Sequence, residues 1–88
     1  MTTRSDHTRQ RDATLSSDAA ALLERLKMWR LSEARAQQLP AFVILHDKTL
    51  VEIASKRPRT LATLGGIGGI GATKLERYGT ALLGVIDA

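Results

Sequence analysis

Short apolar stretches, separated by two prolines and a run of glycines, divide the chain into helical pieces. Leu22, Leu23, Leu26 and Trp29 recur at helical spacing and predict a first helix whose buried face they form. Ser17 is placed to cap it, and Asp18 adds negative charge to its first turn. The helix is expected to reach Gln38, about 30 Å at the standard rise, with an apolar stripe that fades after Arg30. Met28 and Leu31 project from the opposite side, either as isolated surface residues or as cover for a later segment or a partner. Pro40 stops this helix, because the residue before a proline is pushed out of the α region. Phe42, Val43, Ile44 and Leu45 follow as a dense apolar plug, which predicts one tight turn packed on the first helix. Asp47 is then expected to cap a helix over 48–57 that buries Leu50, Ile53 and Ala54 and shows Lys48, Glu52 and Lys56 to water. Pro58 ends that helix, and Thr60 is placed to cap a short one over 61–64.

Five of the seven glycines fall in residues 65 to 71, interrupted by Ile67 and Ile70. Glycine at this density costs backbone entropy, so it marks positive φ or the close approach of another backbone. Isoleucine is out of place in a flexible linker. The pattern predicts a rigid hairpin pinned to a core by the two isoleucines, with Gly69 or Gly71 at positive φ. Its backbone amides would open onto the start of a last helix over 72–87, where they and the helix dipole favour an anion. That helix turns Leu75, Tyr78, Leu82, Val85 and Ile86 inward, and Gly79 allows close helix contact. Lys74, Arg77, Ala81 and Gly84 form its outer strip, two cations beside small residues that suit a phosphate backbone. An ordinary solvated face, with Glu76 and Thr80 nearby, is the alternative.

The glycines also satisfy the G-x-G-x-x-G string over residues 66 to 71, but the context of a dinucleotide site is missing. That motif follows a strand, belongs to a βαβ unit and needs an acidic residue about 20 positions on. The preceding segment here is short and helix-like. A phosphate-loop reading fails at Ala72, where lysine is required.

With 88 residues the chain suits one small domain and leaves little room for a cleft between lobes. A hydrophobic content of 43% with only 3% aromatic residues favours an all-α core of Leu, Ile, Val and Ala. The expected architecture is a compact bundle of about four to five helices with the glycine-rich hairpin before the last. There is no cysteine, so disulfides and zinc–thiolate sites are excluded and an intracellular, cytoplasmic setting is expected. No apolar run has the length of a membrane span, and no membrane association is expected. The first 16 residues hold almost no large apolar side chains and are expected to form a flexible polar linker over 1–17, with the domain proper over 18–88. The net charge is +4, of which Arg4, Arg9 and Arg11 against Asp6 and Asp12 account for +1, leaving +3 on the domain. That balance is compatible with nucleic acid without requiring it. His7 is a lone histidine in the linker, and His46 beside Asp47 has no nucleophile or metal partner nearby in sequence, so the start of a helix explains the pair better than catalysis does. No cofactor or metal is expected.

Several stretches together resemble one family. Leu22-Leu-Glu-Arg-Leu-Lys27, Leu39-Pro-Ala-Phe-Val-Ile-Leu-His-Asp-Lys-Thr-Leu50, Glu52-Ile-Ala54, Arg57-Pro58 and Ile67-Gly-Gly-Ile-Gly-Ala-Thr-Lys-Leu-Glu-Arg-Tyr-Gly79 look like the HRDC family, the helicase and ribonuclease D C-terminal domain. The likeness runs over about residues 19 to 87. It departs at Gly68, where the family often has proline, and at Leu45 and His46, where Phe-Ser or Phe-Asn is commoner. The resemblance implies a compact helical bundle and a non-catalytic module on the C-terminal side of RecQ-type DNA helicases, with ribonuclease D and some superfamily 1 helicases as further hosts. It also implies binding of single-stranded or branched DNA, although some members contact protein instead. Phe42 matches a position where an aromatic residue, usually Tyr, contributes to single-strand binding in some bacterial relatives; here it is either buried or presented for base stacking.

The expected function is therefore a monomeric accessory domain that binds DNA weakly and tunes which structures a helicase engages. Lys74 and Arg77 would neutralise phosphates, the amides of Gly69 to Gly71 would hydrogen-bond them, and Lys56, Arg57 and Arg59 would extend the basic surface. The competing expectation is a domain that docks on its own helicase core or on a partner through Met28, Leu31 or a mixed-charge face.

Overall fold

The computed structural model describes residues 15–88, which form five helices and, among the described residues, no strand. The polar linker expected over 1–17 lies outside the described residues as far as residue 14. No helix of the described chain is long and apolar enough to cross a membrane.

Helix α1 (Ser17–Gln37) starts one residue earlier than the sequence suggested. The cap is Ser16, whose extended backbone lets its Oγ accept from the Ala19 amide at 3.1 Å, while Ser17 is already helical. Leu15 just before it is half-buried and packs on the core. At the far end Gln38 takes a left-handed conformation (φ 57°), and the Leu39 N–H reaches back to the Ala34 carbonyl at 2.9 Å. As the periodicity predicts, Leu22, Leu23 and Leu26 are buried, and Ala34 continues the same face beyond Arg30.

Helix α2 (Ala41–Ile44) is the expected single turn, but only half of the apolar plug goes inward. Successive residues of a turn point about 100° apart, so four in a row cannot all face one core. Ile44 and Leu45 are fully buried, and Phe42 and Val43 face outward. Helix α3 (Asp47–Lys56) is preceded by His46 at the cap position, without a side-chain hydrogen bond. Asp47 is thus the first helical residue and not the cap, its carboxylate being drawn to Arg30 at 2.7 Å. Arg57 lies outside the helix as a left-handed terminus (φ 45°). Leu50, Ile53 and Ala54 are buried as expected, with Thr49 beside them.

Helix α4 (Leu61–Gly65) is capped by Thr60, whose Oγ1 accepts from the Thr63 amide at 3.1 Å. The glycine turn follows, pinned by Ile67 and Ile70, each 4% exposed. Gly69 has φ 94°, whereas Gly71 is extended (φ −85°, ψ −178°) and precedes helix α5 (Ala72–Asp87). On α5, Tyr78, Leu82 and Ile86 are buried, with Leu75 and Val85 packed against the cluster. A Cβ at Gly79 would come within 2.7 Å of Leu61 Cδ2, so this glycine sets how closely α4 lies on α5. The α1–α5 contact adds a polar and an aromatic pair beside the core. Gln37 Nε2 donates to the Tyr78 hydroxyl at 2.9 Å, and Trp29 meets the Tyr78 ring edge-on with centroids 5.5 Å apart.

Candidate nucleic-acid interface

The α2–α3 corner presents an aromatic side chain to solvent. Phe42 is 60% exposed, which removes the buried alternative. His46 follows across the extended residues between α2 and α3, and the two rings lie nearly parallel, 22° apart with centroids separated by 6.2 Å. A shallow groove here is lined by Arg30, Ala41, Phe42, His46, Asp47 and Lys48. Arg30 is committed to the protein: its side chain is 12% exposed, Nη1 donates to the Leu45 carbonyl at 2.8 Å and Nη2 pairs with Asp47. Lys48 is the exposed cation of the groove.

A second groove continues from the first through His46 and Lys48, which line both, to Thr49, Glu52, Gly68 and Gly69. The glycine turn therefore borders the Phe42 surface by way of the start of α3. Within the turn the Ile70 amide donates to the Ile67 carbonyl at 3.1 Å, so one of the amides at 69 to 71 is already engaged. Gly71 ends in open space at the start of α5.

On α5, Lys74 reaches the same corner from the other side. Its Nζ donates to the Val43 carbonyl at 3.1 Å, beside Phe42 in sequence. Arg77 is exposed, with its guanidinium carbon 5.9 Å from the centroid of the Tyr78 ring. Lys56, Arg57 and Arg59 each engage a different partner. Lys56 pairs with Glu52 at 2.8 Å, Arg57 points at the Asp18 carbonyl at 3.5 Å, and Arg59 lies 3.8 Å from Asp87 at the end of α5. That end is about 20 Å from Lys74 at 1.5 Å rise per residue. The structure thus brings Phe42, Val43 and Lys74 together and sets Arg59 apart.

Sequence reasoning left His46 and Lys48 out of the site. No local period signals His46, because Leu45 and His46 are extended between two helices and the Phe42–His46 pair depends on how the chain turns there. Lys48, read as a solvated position, is indistinguishable from any surface lysine until the corner is folded.

The HRDC domain model matches residues 19–86. The chain belongs to the HRDC domain family. It is 49% identical over 65 residues to the ATP-dependent DNA helicase UvrD2 of Mycobacterium tuberculosis, covering 74% of this chain and 9% of the helicase. It is 40% identical over 67 residues to the ATP-dependent DNA helicase RecQ of Bacillus subtilis, covering 76% and 11% respectively. Ribonuclease D of Sphingobium indicum is 42% identical over 76 residues, covering 85% of this chain and 20% of that protein. Among solved structures, D. radiodurans RecQ HRDC domain 3 superposes with a TM-score of 0.77 at 35% identity, covering 81% of this chain and 93% of that one. The all-helical fold and the family inferred from the residue pattern are the ones found. The chain spans only a small fraction of its curated relatives, and those relatives differ in kind.

Proposed function

We propose that this HRDC domain is a non-catalytic DNA-binding accessory module of an ATP-dependent DNA helicase, holding single-stranded or branched DNA weakly and tuning which structures the helicase engages. The observation that carries the reading is Phe42, 60% exposed at a corner flanked by Lys48 and Lys74. An exposed ring gives a nucleobase a stacking face in any sequence, and adjacent cations attract the backbone. Arg77 and the amides of Gly69 and Gly71 extend the surface along the start of α5. Arg59 is reached only by a strand that runs the length of that helix, whereas Lys56 pairs with Glu52, which lines the second groove.

Titrating the isolated domain with an unstructured oligothymidylate at several salt concentrations tests this. Two to four phosphate contacts predict micromolar to near-millimolar affinity and a log-log salt slope of about −1.5 to −3. No binding at low salt would overturn the reading. Met28, 66% exposed, and Leu31, 39% exposed, favour a second one, docking on the helicase core through the outer face of α1. Binding of the core by a domain that ignores DNA would select it.

A further inference from the structure

A helix of four residues leaves most of its carbonyls without an intrahelical partner. Around α2, two carbonyls are held by cations from other helices. Lys74 of α5 donates to the Val43 carbonyl at 3.1 Å, and Arg30 of α1 donates to the Leu45 carbonyl at 2.8 Å. Basic side chains satisfy terminal carbonyls in this way and also complement the negative end of the turn. At the other end Pro40 offers no side-chain hydrogen bond. Phe42 itself is too exposed for packing to fix it.

We infer that Lys74 is a positioning residue for Phe42: its ammonium ties α2 to α5 through the Val43 carbonyl and so presents the ring to a nucleobase, instead of acting chiefly as a phosphate contact. The role rests on the DNA-binding reading above for its ligand, a single strand stacked on Phe42. The tie itself belongs to the free domain. Arg30, with Asp47 as its counter-ion, holds the Leu45 carbonyl just past the turn, so α2 and its exit are held by two cationic ties. An unheld one-turn helix is a poor platform, since ordering it at the moment of binding costs conformational entropy.

Binding of an oligothymidylate across a salt series, for the wild type, Lys74→Met, Lys74→Arg, Phe42→Ala and the Phe42→Ala/Lys74→Met pair, decides the role. Methionine keeps the alkyl chain and removes the donor. A positioning role predicts that Lys74→Met weakens binding about 3- to 10-fold with the salt slope nearly unchanged, and that Lys74→Arg restores most of the loss. In the Phe42→Ala background the same change then adds less than about twofold, because there is no ring left to place. A phosphate contact predicts the opposite, a slope reduced by about 0.7 and an equal loss in both backgrounds, and that result overturns the inference. Amide exchange in the free domain supplies a readout independent of DNA. The Leu45 N–H, which donates to Ala41 at 3.4 Å, should exchange several-fold faster in Lys74→Met and not in Lys74→Arg. Unchanged exchange removes the tie and with it the inference. A wild type that binds no oligonucleotide yet shows faster exchange on losing the tie overturns the DNA reading instead.

Discussion

The Thr49 hydroxyl occupies the space that a side chain at Gly69 would fill. Thr49 is 4% exposed and donates to the Gly68 carbonyl at 3.2 Å, while Gly69 turns away at φ 94°. A Cβ built on Gly69 falls on Thr49 Oγ1. The hairpin is therefore latched to α3 by one hydrogen bond, in a backbone shape that glycine adopts at little cost. Because α3 also carries Lys48 and follows directly on His46, the latch fixes how the turn borders the Phe42 corner.

Gly69→Ala should consequently destabilise the domain by about 2–3 kcal/mol, combining left-handed strain with loss of the Thr49 bond. Gly71→Ala should be nearly neutral, since Gly71 is extended and nothing lies within 4 Å of its added Cβ. Denaturant melts of the two variants check the contrast. In a Thr49→Ala background the cost of Gly69→Ala should fall by about 1 kcal/mol, because the hydroxyl it displaces is gone. Equal costs at the two glycines would show that the turn is held in some other way.

Glycine density revealed the turn but not which glycine bears the strain, because φ depends on how the turn meets Thr49, nineteen residues before Gly68 in the chain. The apolar faces were readable for a simpler reason. Leu22, Leu26, Leu50, Ile53 and Leu82 repeat at the period of the helix that buries them, so local spacing suffices. Phe42 was undecidable because a run of four apolar residues in one turn has no period to assign a face. The cations fared similarly. Lys74 and Arg59 both belong to a basic inventory, and only the position of Asp87 at one end of α5 and Val43 at the other separates them.

The start of α1 gives a one-residue test. Ser16→Ala removes the side-chain acceptor of the Ala19 amide and should cost about 1 kcal/mol. Ser17→Ala, an exposed first-turn position, should change stability by less than about 0.5 kcal/mol. Thermal melts that rank the pair the other way would return the cap to Ser17.

Arg30 and Asp47 form an ion pair whose members are not equivalent. Asp47→Ala removes a carboxylate that is 77% exposed, and should cost no more than about 1 kcal/mol. Arg30→Ala strips a side chain only 12% exposed and leaves the Leu45 carbonyl without its donor, for a loss of about 2–3 kcal/mol. Chemical denaturation of both variants measures the asymmetry. Similar values would mean that the exposed pair, and not the carbonyl bond, matters.

Charge reversal can locate the strand. Arg77→Glu, near the Phe42 corner, should weaken oligothymidylate binding at least fivefold and reduce the salt slope by about 0.7 or more. Arg59→Glu, at the Asp87 end of α5, should change affinity less than about twofold at physiological salt, where screening acts over about 8 Å. If the two reversals weaken binding equally in a fluorescence-anisotropy titration, the strand runs the length of α5 and Arg59 is part of its path.

Phe42 separates function from folding most cleanly. A ring that is 60% exposed contributes little to the core, so Phe42→Ala should shift the melting temperature by only a degree or two. The same substitution removes the stacking face, and one stacked base is worth about 1–3 kcal/mol, so affinity for oligothymidylate should fall roughly 5- to 150-fold. The salt slope should stay the same, because no charge has been removed. Phe42→Trp enlarges the face and should bind at least as tightly as the wild type. Trp29 is the single native tryptophan and packs against Tyr78, so Phe42→Trp in a Trp29→Phe background adds a fluorophore that reports on the corner alone. Quenching of that signal on titration would place the base on residue 42. A Phe42→Ala variant that binds as well as the wild type would show that the strand passes without stacking there, leaving charge as the whole of the attraction.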